Sequence, residues 1–424
     1  MEAKKCMSCT ACKYMCPQGA IKIKNNSSGM NVRVIDKAKC NNCSLCDKNC
    51  PLNHNYPINI EVKAMAGFCK NEKDRKKASS GGLFYYLAKD IIKKNGVVYG
   101  ACFDKNFDVV HMRATTLSEV KKMRGSKYVQ SDLGDSLIKV REDLNQGRYV
   151  LFSGTPCQIA GLKSFLAKDY EKLITIDIVC HGAPSADIWR KYINELEIEY
   201  KSKIVNIQFR NKKLGWQNPQ MVIEFENKEK ISSAVYNNIF GQAFLRNMIL
   251  QETCYVCNFN CFRNQSDITL GDFWGYEKEI NNVDFSNGLS LILLNTDRGN
   301  KYINEIKLDI QFFENINIRN AILGNYPFIH SSIPHYNRAK VLKELAIKKN
   351  NVSTIIMNNL DEMNGLKKTK KGVAILNFSF ENYNYGANLV AYSLSEIVKK
   401  LEYIRRFTKN KINKIEVNKT GGIA

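Results

Sequence analysis

Two groups of four cysteines near the start of the chain repeat one spacing. Each group follows the pattern C-x2-C-x2-C-x3-C, and a proline comes directly after its last cysteine. This run is typical of bacterial iron–sulfur proteins, in which three cysteines hold one 4Fe–4S cube and the fourth ligates the other cube. The sequence therefore predicts two 4Fe–4S clusters that exchange their fourth ligands. The predicted ligand sets are Cys6, Cys9, Cys12 and Cys50 for one cluster, and Cys40, Cys43, Cys46 and Cys16 for the other.

Other uses of these eight cysteines fit the sequence less well. A disulfide framework requires an oxidising compartment, yet the chain opens with MEAKK and shows no apolar signal segment. Zinc sites seldom repeat four cysteines at such tight intervals with a proline after the last. Because so many reduced thiols are typical of the cell interior, we expect a cytoplasmic protein.

Two further cysteines follow predicted strands of one βαβ unit. Cys157 comes just after a buried strand at 149–152 and a tight turn, and Cys180 directly follows a second strand at 173–179. Parallel strands of a right-handed βαβ unit end at the same edge of the sheet, which is where ligands bind. We therefore expect both thiols at the carboxyl edge, with Cys157 at a helix start that favours the thiolate form.

A C-x2-C pair, Cys254 and Cys257, adds two more thiols, and Cys261 follows as a reserve ligand. The strand predicted at 268–270 can join the same sheet, so these four thiols are candidates for a third 4Fe–4S cluster. Zinc or plain burial also explains the C-x2-C pair. A different hypothesis makes Cys157 a nucleophile with His181 as its base.

A serine–glycine turn precedes a predicted helix. Residues 83–96 place apolar side chains at helical spacing directly after Ser79–Gly82. Serine hydroxyls and free backbone N–H groups at a helix start form an anion site that suits a cofactor phosphate. A plain serine cap, with glycines for close packing, fits the same residues equally well.

Composition narrows the classes of partner. The chain has 424 residues, 44% apolar residues and a net charge of +22. The lysines are spread along the chain without a recognition motif for nucleic acid, so we expect no nucleic-acid partner. No uninterrupted apolar run reaches the roughly 18 residues of a membrane span. The charge excess instead suits an acidic protein partner or a phosphorylated cofactor.

Five motifs that occur in order resemble the family of coenzyme F420 hydrogenase/dehydrogenase beta subunits in its ferredoxin-fused form. They are Ser79–Gly82, GSKYVQS at 125–131, GTPCQIAGLK at 154–163, DIVCHGAPS at 177–185 and SDITLGDFWG at 266–275. The resemblance implies an FAD flavoprotein with 4Fe–4S clusters that moves electrons to or from a two-electron carrier or substrate, coenzyme F420 among them. The redox partner is then another protein or a small electron carrier, and the oligomeric state is left open.

This resemblance points to candidate phosphate and flavin residues and to one candidate catalytic residue. His181 is the candidate proton donor beside the flavin, although a turn histidine bonded to backbone explains it as well. The flavin candidates are Ser79, Ser80, Gly81, Gly82, Lys127, Gly154, Thr155 and Pro156.

The predicted fold is mixed α/β. Residues 372–424 resemble the opening βα unit of polysaccharide pyruvyl transferases, which raises a glycan-related role or a fusion remnant. The alternative to an enzyme is an electron-transfer module without its own substrate. The predicted domains are a two-cluster ferredoxin domain (1–56), an FAD-binding domain (62–320, in parts 62–140 and 145–320), a helical and basic linker (321–371) and a partial C-terminal unit (372–424).

Overall fold

The computed structural model describes residues 6–26, 28–281, 283–347 and 351–360. The partial unit predicted for 372–424 lies outside these residues. The strands are β1 (Ile21–Asn25), β2 (Asn31–Ile35), β3 (Lys63–Cys69), β4 (Val97–Phe103), β5 (Val109–Ala114), β6 (Val150–Gly154), β7 (Leu173–Ile178), β8 (Ile204–Asn211), β9 (Gln220–Phe225), β10 (Lys230–Ala234), β11 (Ile268–Asp272), β12 (Ser290–Leu294) and β13 (Ile310–Phe313). The α-helices are α1 (Ala11–Met15), α2 (Leu45–Lys48), α3 (Glu72–Lys76), α4 (Leu83–Lys93), α5 (Leu117–Lys122), α6 (Ser136–Asn145), α7 (Pro156–Leu166), α8 (Ala186–Glu199), α9 (Ile239–Leu245), α10 (Asp297–Glu305), α11 (Ile318–Leu323), α12 (Tyr326–Ile329), α13 (Arg338–Ala346) and α14 (Val352–Asn359).

The ferredoxin segment has a repeated structure that matches its repeated sequence. Strands β1 and β2 pair antiparallel, as the alternation of apolar and polar residues predicts. Each copy also places a short helix, α1 or α2, after a residue with left-handed backbone, Thr10 at φ 60° and Ser44 at φ 60°. The backbone of the two copies therefore has the same conformation beside the cysteines.

An eight-stranded sheet forms the centre of the molecule, in the order β13-β3-β12-β11-β7-β6-β4-β5. Strands β4, β6, β7 and β11 are parallel neighbours, and β6-α7-β7 is the βαβ unit expected from the sequence. The predicted addition of 268–270 to this sheet is confirmed by β11. All four parallel strands end at one edge, which we call the carboxyl edge.

Helices cover both faces of this sheet. One face packs against α4 through Leu87 and Ile91, and the other packs against α6 and α7 through residues such as Leu137 and Ile159. A smaller antiparallel sheet, β10-β9-β8, packs with α8 around the fully buried Trp189. The mixed α/β class is confirmed, whereas β10 was not predicted.

Two helices within the predicted linker at 321–371, α13 and α14, pack against the rest of the protein. Val341 of α13 and Ile355 of α14 are buried in the same apolar cluster as Trp189 of α8. The ammonium of Lys191 also donates to the carbonyl of Leu345 at 2.9 Å. Residues 338–359 therefore belong to the folded body, apart from 348–350, which are outside the described residues.

Among the described residues, no helix has the length and apolar character needed to cross a bilayer.

Candidate metal centres and cofactor site

The eight ferredoxin cysteines separate into two sets with the predicted exchange of fourth ligands. We call Cys6, Cys9, Cys12 and Cys50 the inner set, and Cys16, Cys40, Cys43 and Cys46 the outer set. Burial raises the pKa of the Cys9 thiol well above its usual value, and the neighbouring thiols of Cys12, Cys6 and Cys50 raise it further. The four outer cysteines line one cavity, and Cys43 is exposed.

Backbone amides point at the sulfur atoms of the ferredoxin segment. The N–H groups of Ser8 and Asn42 donate to the Sγ atoms of Cys6 and Cys40, each at 3.4 Å. These two amides occupy equivalent positions in the two copies of the repeat. Such N–H···S bonds stabilise cluster-bound thiolates and tune their potential. The donor set therefore fits two 4Fe–4S clusters.

Four further cysteines converge at the carboxyl edge, and we call Cys157, Cys180, Cys254 and Cys257 the third set. Burial, together with the neighbouring thiols of Cys257 and Cys254, raises the pKa of Cys157 to about 12. Burial likewise raises the pKa of Cys180, followed by the effects of Cys254, Cys157 and Cys257. The structure thus brings together the four residues that the strand-edge argument selected.

A short backbone pairing explains why distant parts of the chain meet here. Pro184 and Leu250 form an antiparallel bridge, and the N–H of Gln251 donates to the carbonyl of Ala183 at 3.0 Å. Gly182 has φ 144°, and a Cβ at this position would lie 2.7 Å from a methyl group of Leu250. A glycine is therefore needed for the turn that places Cys180 beside Cys254.

The sulfur atoms of the third set receive the same kind of hydrogen bond as the ferredoxin thiols. The N–H of Ala183 donates to the Sγ of Cys254, and the N–H of Phe259 donates to the Sγ of Cys257, each at 3.4 Å. The N–H of Cys261 donates to the carbonyl of Phe328, and its role as a reserve ligand stays a prediction.

In the described part of the chain, no three Cys, His, Asp or Glu side chains converge as ligands of one metal ion. A 4Fe–4S cluster at the third set therefore stays a prediction, as does zinc at the C-x2-C pair.

The structure does not support Cys157 as an activated nucleophile. A nucleophilic thiol needs a lowered pKa, and burial raises the pKa of Cys157 to about 12. Its sulfur atom lies within hydrogen-bond distance of the hydroxyl of Thr155, at 3.1 Å, rather than of His181.

His181 packs edge-on against Phe244, with ring centroids 4.9 Å apart. Burial lowers the pKa of this histidine, which favours the neutral ring. Its Nε2 atom has no hydrogen-bond partner among the described residues. The proposed role of His181 as a proton donor stays a prediction.

The serine–glycine turn before α4 lies at the carboxyl edge, and protein groups engage most of its polar atoms. The hydroxyl of Ser79 accepts from the N–H of Ser126 at 2.7 Å. The hydroxyl of Ser80 donates to the carbonyl of Leu289 at 2.8 Å, and the N–H of Gly81 donates to the hydroxyl of Ser290 at 2.9 Å. Gly82 begins the helix at φ 88° without a side-chain cap. The first N–H groups of α4 thus lack a side-chain acceptor.

Two other flavin candidates have local roles. The half-buried ammonium of Lys127 donates to carbonyls at the end of α5 and just beyond it, at 2.9 Å from Met123 and 3.0 Å from Arg124. The N–H of Thr155 donates to the side chain of Gln158 at 2.9 Å and closes the turn at Gly154–Pro156. These contacts place Lys127 at a helix end and Thr155 at the start of α7, and their contact with a phosphate stays a prediction.

Sequence reasoning missed a charged cluster beside the same turn. The buried ammonium of Lys212 donates to the carbonyls of Arg75 at 2.6 Å and Ser80 at 2.8 Å. Burial lowers the pKa of Lys212 to about 7. Asp272, at the end of β11, forms an ion pair with Arg210. The only signals in the sequence were the aromatic loop around Lys212 and the acidic turn of SDITLGDFWG.

The ferredoxin segment packs directly on the helix that carries Cys157. A Cβ atom at Gly161 would clash with Cys9, whose Sγ would lie 2.9 Å away. Gly161 is one helical turn beyond Cys157 on α7. The inner set therefore lies against the element that begins with a member of the third set.

Two known protein families match parts of this chain. Residues 5–54 match the family described as 4Fe-4S dicluster domain. Residues 147–315 match the family described as the C terminus of the coenzyme F420 hydrogenase/dehydrogenase beta subunit. This part of the chain belongs to the family of coenzyme F420 hydrogenase/dehydrogenase beta subunits. The expected family is confirmed, and the chain is an iron–sulfur protein of an oxidoreductase family.

A curated relative and a solved structure are also similar to this chain. The F subunit of the F(420)H(2) dehydrogenase of Methanosarcina mazei is 23% identical over 215 residues, which cover 48% of this chain and 61% of the relative. The chain thus matches less than two thirds of that relative's length. The F420-reducing nickel–iron hydrogenase complex from Methanosarcina barkeri contains a chain with 16% identity and a TM-score of 0.40, covering 76% of this chain and 96% of that one.

Proposed function

We propose that this protein is an iron–sulfur flavoenzyme that passes electrons between 4Fe–4S clusters and FAD, to or from a two-electron carrier. The observation that carries the proposal is the convergence of the third set at the carboxyl edge, against the helix that also contacts Cys9. The matching relative is named as part of an F(420)H(2) dehydrogenase, so coenzyme F420 is our candidate carrier.

Three groups of cysteines would hold the clusters. The inner and outer sets suit the two ferredoxin clusters, and the third set suits one more. When bound, the clusters carry single electrons and the flavin exchanges them in pairs. Burial keeps the metal-free thiols of Cys157 and Cys254 protonated, because it raises their pKa values to about 12 and about 11. Cluster binding would therefore release protons from these thiols.

The start of α4 is our candidate site for the FAD phosphates. Its first N–H groups lack a side-chain cap, and a helix N-terminus attracts anions. Arg75 adds positive charge beside the turn, and its side chain is mostly buried. Lys212 fixes the turn through the carbonyl of Ser80. Ser79 and Gly82 complete this candidate site.

A flavin measurement tests the proposal. Protein reconstituted without oxygen should release about one FAD per chain on denaturation. Lys212→Met should reduce the bound flavin because it frees the Ser80 turn, whereas Lys213→Met should retain it because Lys213 is exposed. Full iron content without any released flavin would contradict the flavoenzyme.

The second candidate is an electron-transfer module without its own substrate. The side chains of Lys127 and Ser80 donate hydrogen bonds to backbone carbonyls of the protein, so neither side chain faces an open phosphate site. This observation favours the electron-transfer module. Absence of flavin together with reversible reduction of all clusters would support this alternative.

A further inference from the structure

Two buried glutamines join the ferredoxin segment to the loops of the third set. Gln251 is 3% exposed, and its side-chain amide donates to the carbonyl of Cys6 at 3.0 Å and to the hydroxyl of Ser8 at 2.9 Å. Its backbone carbonyl accepts from the N–H of Cys254 at 3.0 Å. One residue therefore contacts both a ligand of the inner set and a ligand of the third set.

Gln130 fixes the orientation of this amide. Its side-chain nitrogen donates to the Oε1 atom of Gln251 and to the carbonyl of Met7, each at 3.2 Å. Its backbone N–H donates to the carbonyl of Pro184 at 3.0 Å, beside the turn that follows Cys180. With its oxygen held by Gln130, Gln251 must present its N–H groups to the Cys6 loop. The connection uses neutral groups, so no charge is buried.

The outer set has no comparable connection among the described residues. Its cavity is lined by residues between Cys16 and Cys46, all within the ferredoxin segment. The inner set instead contacts the main body at Gln251 and again at Gly161. The contacts therefore arrange the thiols in the order outer, inner, third.

We propose that Gln251, oriented by Gln130, is a positioning residue that couples the inner set to the third set. It holds the Cys6 loop against the Cys254 loop at a fixed separation. This inference rests on the proposed third cluster. Its expected signature is a magnetic interaction between the two reduced clusters that depends on the Gln251 amide.

The experiment uses iron analysis and electron paramagnetic resonance of the full chain, reduced with dithionite. Cys180→Ser should remove the third cluster. The difference between its spectrum and that of the unmodified protein therefore identifies the part of the magnetic interaction that arises from the third cluster. Gln251→Leu should keep the iron content of the unmodified protein while weakening that part of the interaction, because the contact of Cys9 with Gly161 remains. Gln265→Leu is the matched control, because the amide of Gln265 bonds only to carbonyls of its own loop. It should leave both measurements unchanged.

The outcomes separate this inference from the proposed function. Iron near eight per chain in the unmodified protein, the content of two cubes, would overturn the third cluster and this inference with it. Iron near twelve with an unchanged interaction in Gln251→Leu would overturn the role of Gln251 alone. If Gln251→Leu fails to fold, Gln251→Met replaces it with the same expected effect. Its thioether side chain has a similar length but cannot donate to the carbonyl of Cys6.

Discussion

His111 on β5 is a buried histidine whose ring stacks on Phe152, with centroids 5.2 Å apart. One ring nitrogen, Nε2, lies 3.0 Å from the carbonyl of Ser153, at the end of the strand that leads to Cys157. Since a carbonyl can only accept, Nε2 carries the proton. Burial lowers the pKa of this histidine to about 4, so the ring is neutral in the folded protein.

This histidine should make the protein sensitive to acid. Between pH 4 and 6.5 the unfolded chain binds a proton at His111 that the folded chain does not, so stability falls as the pH falls. At pH 5 the expected loss is about 2 kcal/mol. Denaturant unfolding at pH 7 and pH 5 measures this fall in the free energy of unfolding. His111→Gln should show a smaller fall between the two pH values.

The control for this prediction is His330→Gln, because His330 is exposed. It should lose as much stability on acidification as the unmodified protein does. An equal loss in His111→Gln would show that protonation of this ring is not responsible.

Single residues also show which contacts could be predicted from the sequence and which could not. The cysteine spacing predicted how the ferredoxin cysteines group in space, because iron–sulfur ligation constrains neighbours in sequence. The partners of Lys127 and Ser80 could not be predicted, because a sequence displays donors but not the carbonyls that they meet in space. Gln251 was missed for the same reason, since its partner Cys6 is 245 positions away in the chain.

At the scale of elements, α7 is the surface on which the ferredoxin segment packs. Cys9 lies against Gly161, and the hydroxyl of Ser164 donates to the carbonyl of Asn49. Gly161 is required because any side chain there would occupy the space of Cys9. One helix thus presents a third-set thiol at its start and contacts the inner set along its length.

Gly161→Ala should force the ferredoxin segment away from α7. We expect the free energy of unfolding to fall by about 2 kcal/mol through overpacking, and the iron to be lost faster to a chelator. Ser164→Ala is the matched control on the same face, and loss of its hydrogen bond should cost about 1 kcal/mol. Equal effects of the two changes on iron loss would contradict the close contact with Cys9.

The predictable elements were those with a clear local pattern. The βαβ unit follows from two continuous apolar runs, which the burial of its strands confirms. The pairing of β1 with β2 follows from their alternation of apolar and polar residues. Strand β10 was missed because its sequence, KISSA, is short and mostly polar. The pairing of Pro184 with Leu250 was not predictable, because nothing local marks it.

For the whole molecule, α13 and α14 close the apolar cluster around Trp189 and α8. The packing of these helices was not predicted, because their sequence is rich in lysine and asparagine and only one side of each helix is apolar. The described residues between 6 and 360 form one compact unit that includes both helices.

Two shortened chains test this boundary. A chain that ends after Asp361 should keep its iron content and its midpoint of thermal unfolding. A chain that ends after Tyr336 removes α13 and α14 and exposes the apolar cluster around Trp189, so it should aggregate or unfold. Equal solubility and midpoint for the two chains would show that these helices are dispensable.

The central claim is that three sets of cysteines hold three clusters, and iron analysis of the anaerobically reconstituted protein tests it most directly. The unmodified chain should contain about twelve irons, as three cubes require, and Cys180→Ser should contain about eight. Cys261→Ser should keep about twelve, because Cys261 lies outside the third set. About eight irons in all three proteins would contradict the third cluster, and a loss of four irons in Cys261→Ser alone would contradict the ligand assignment.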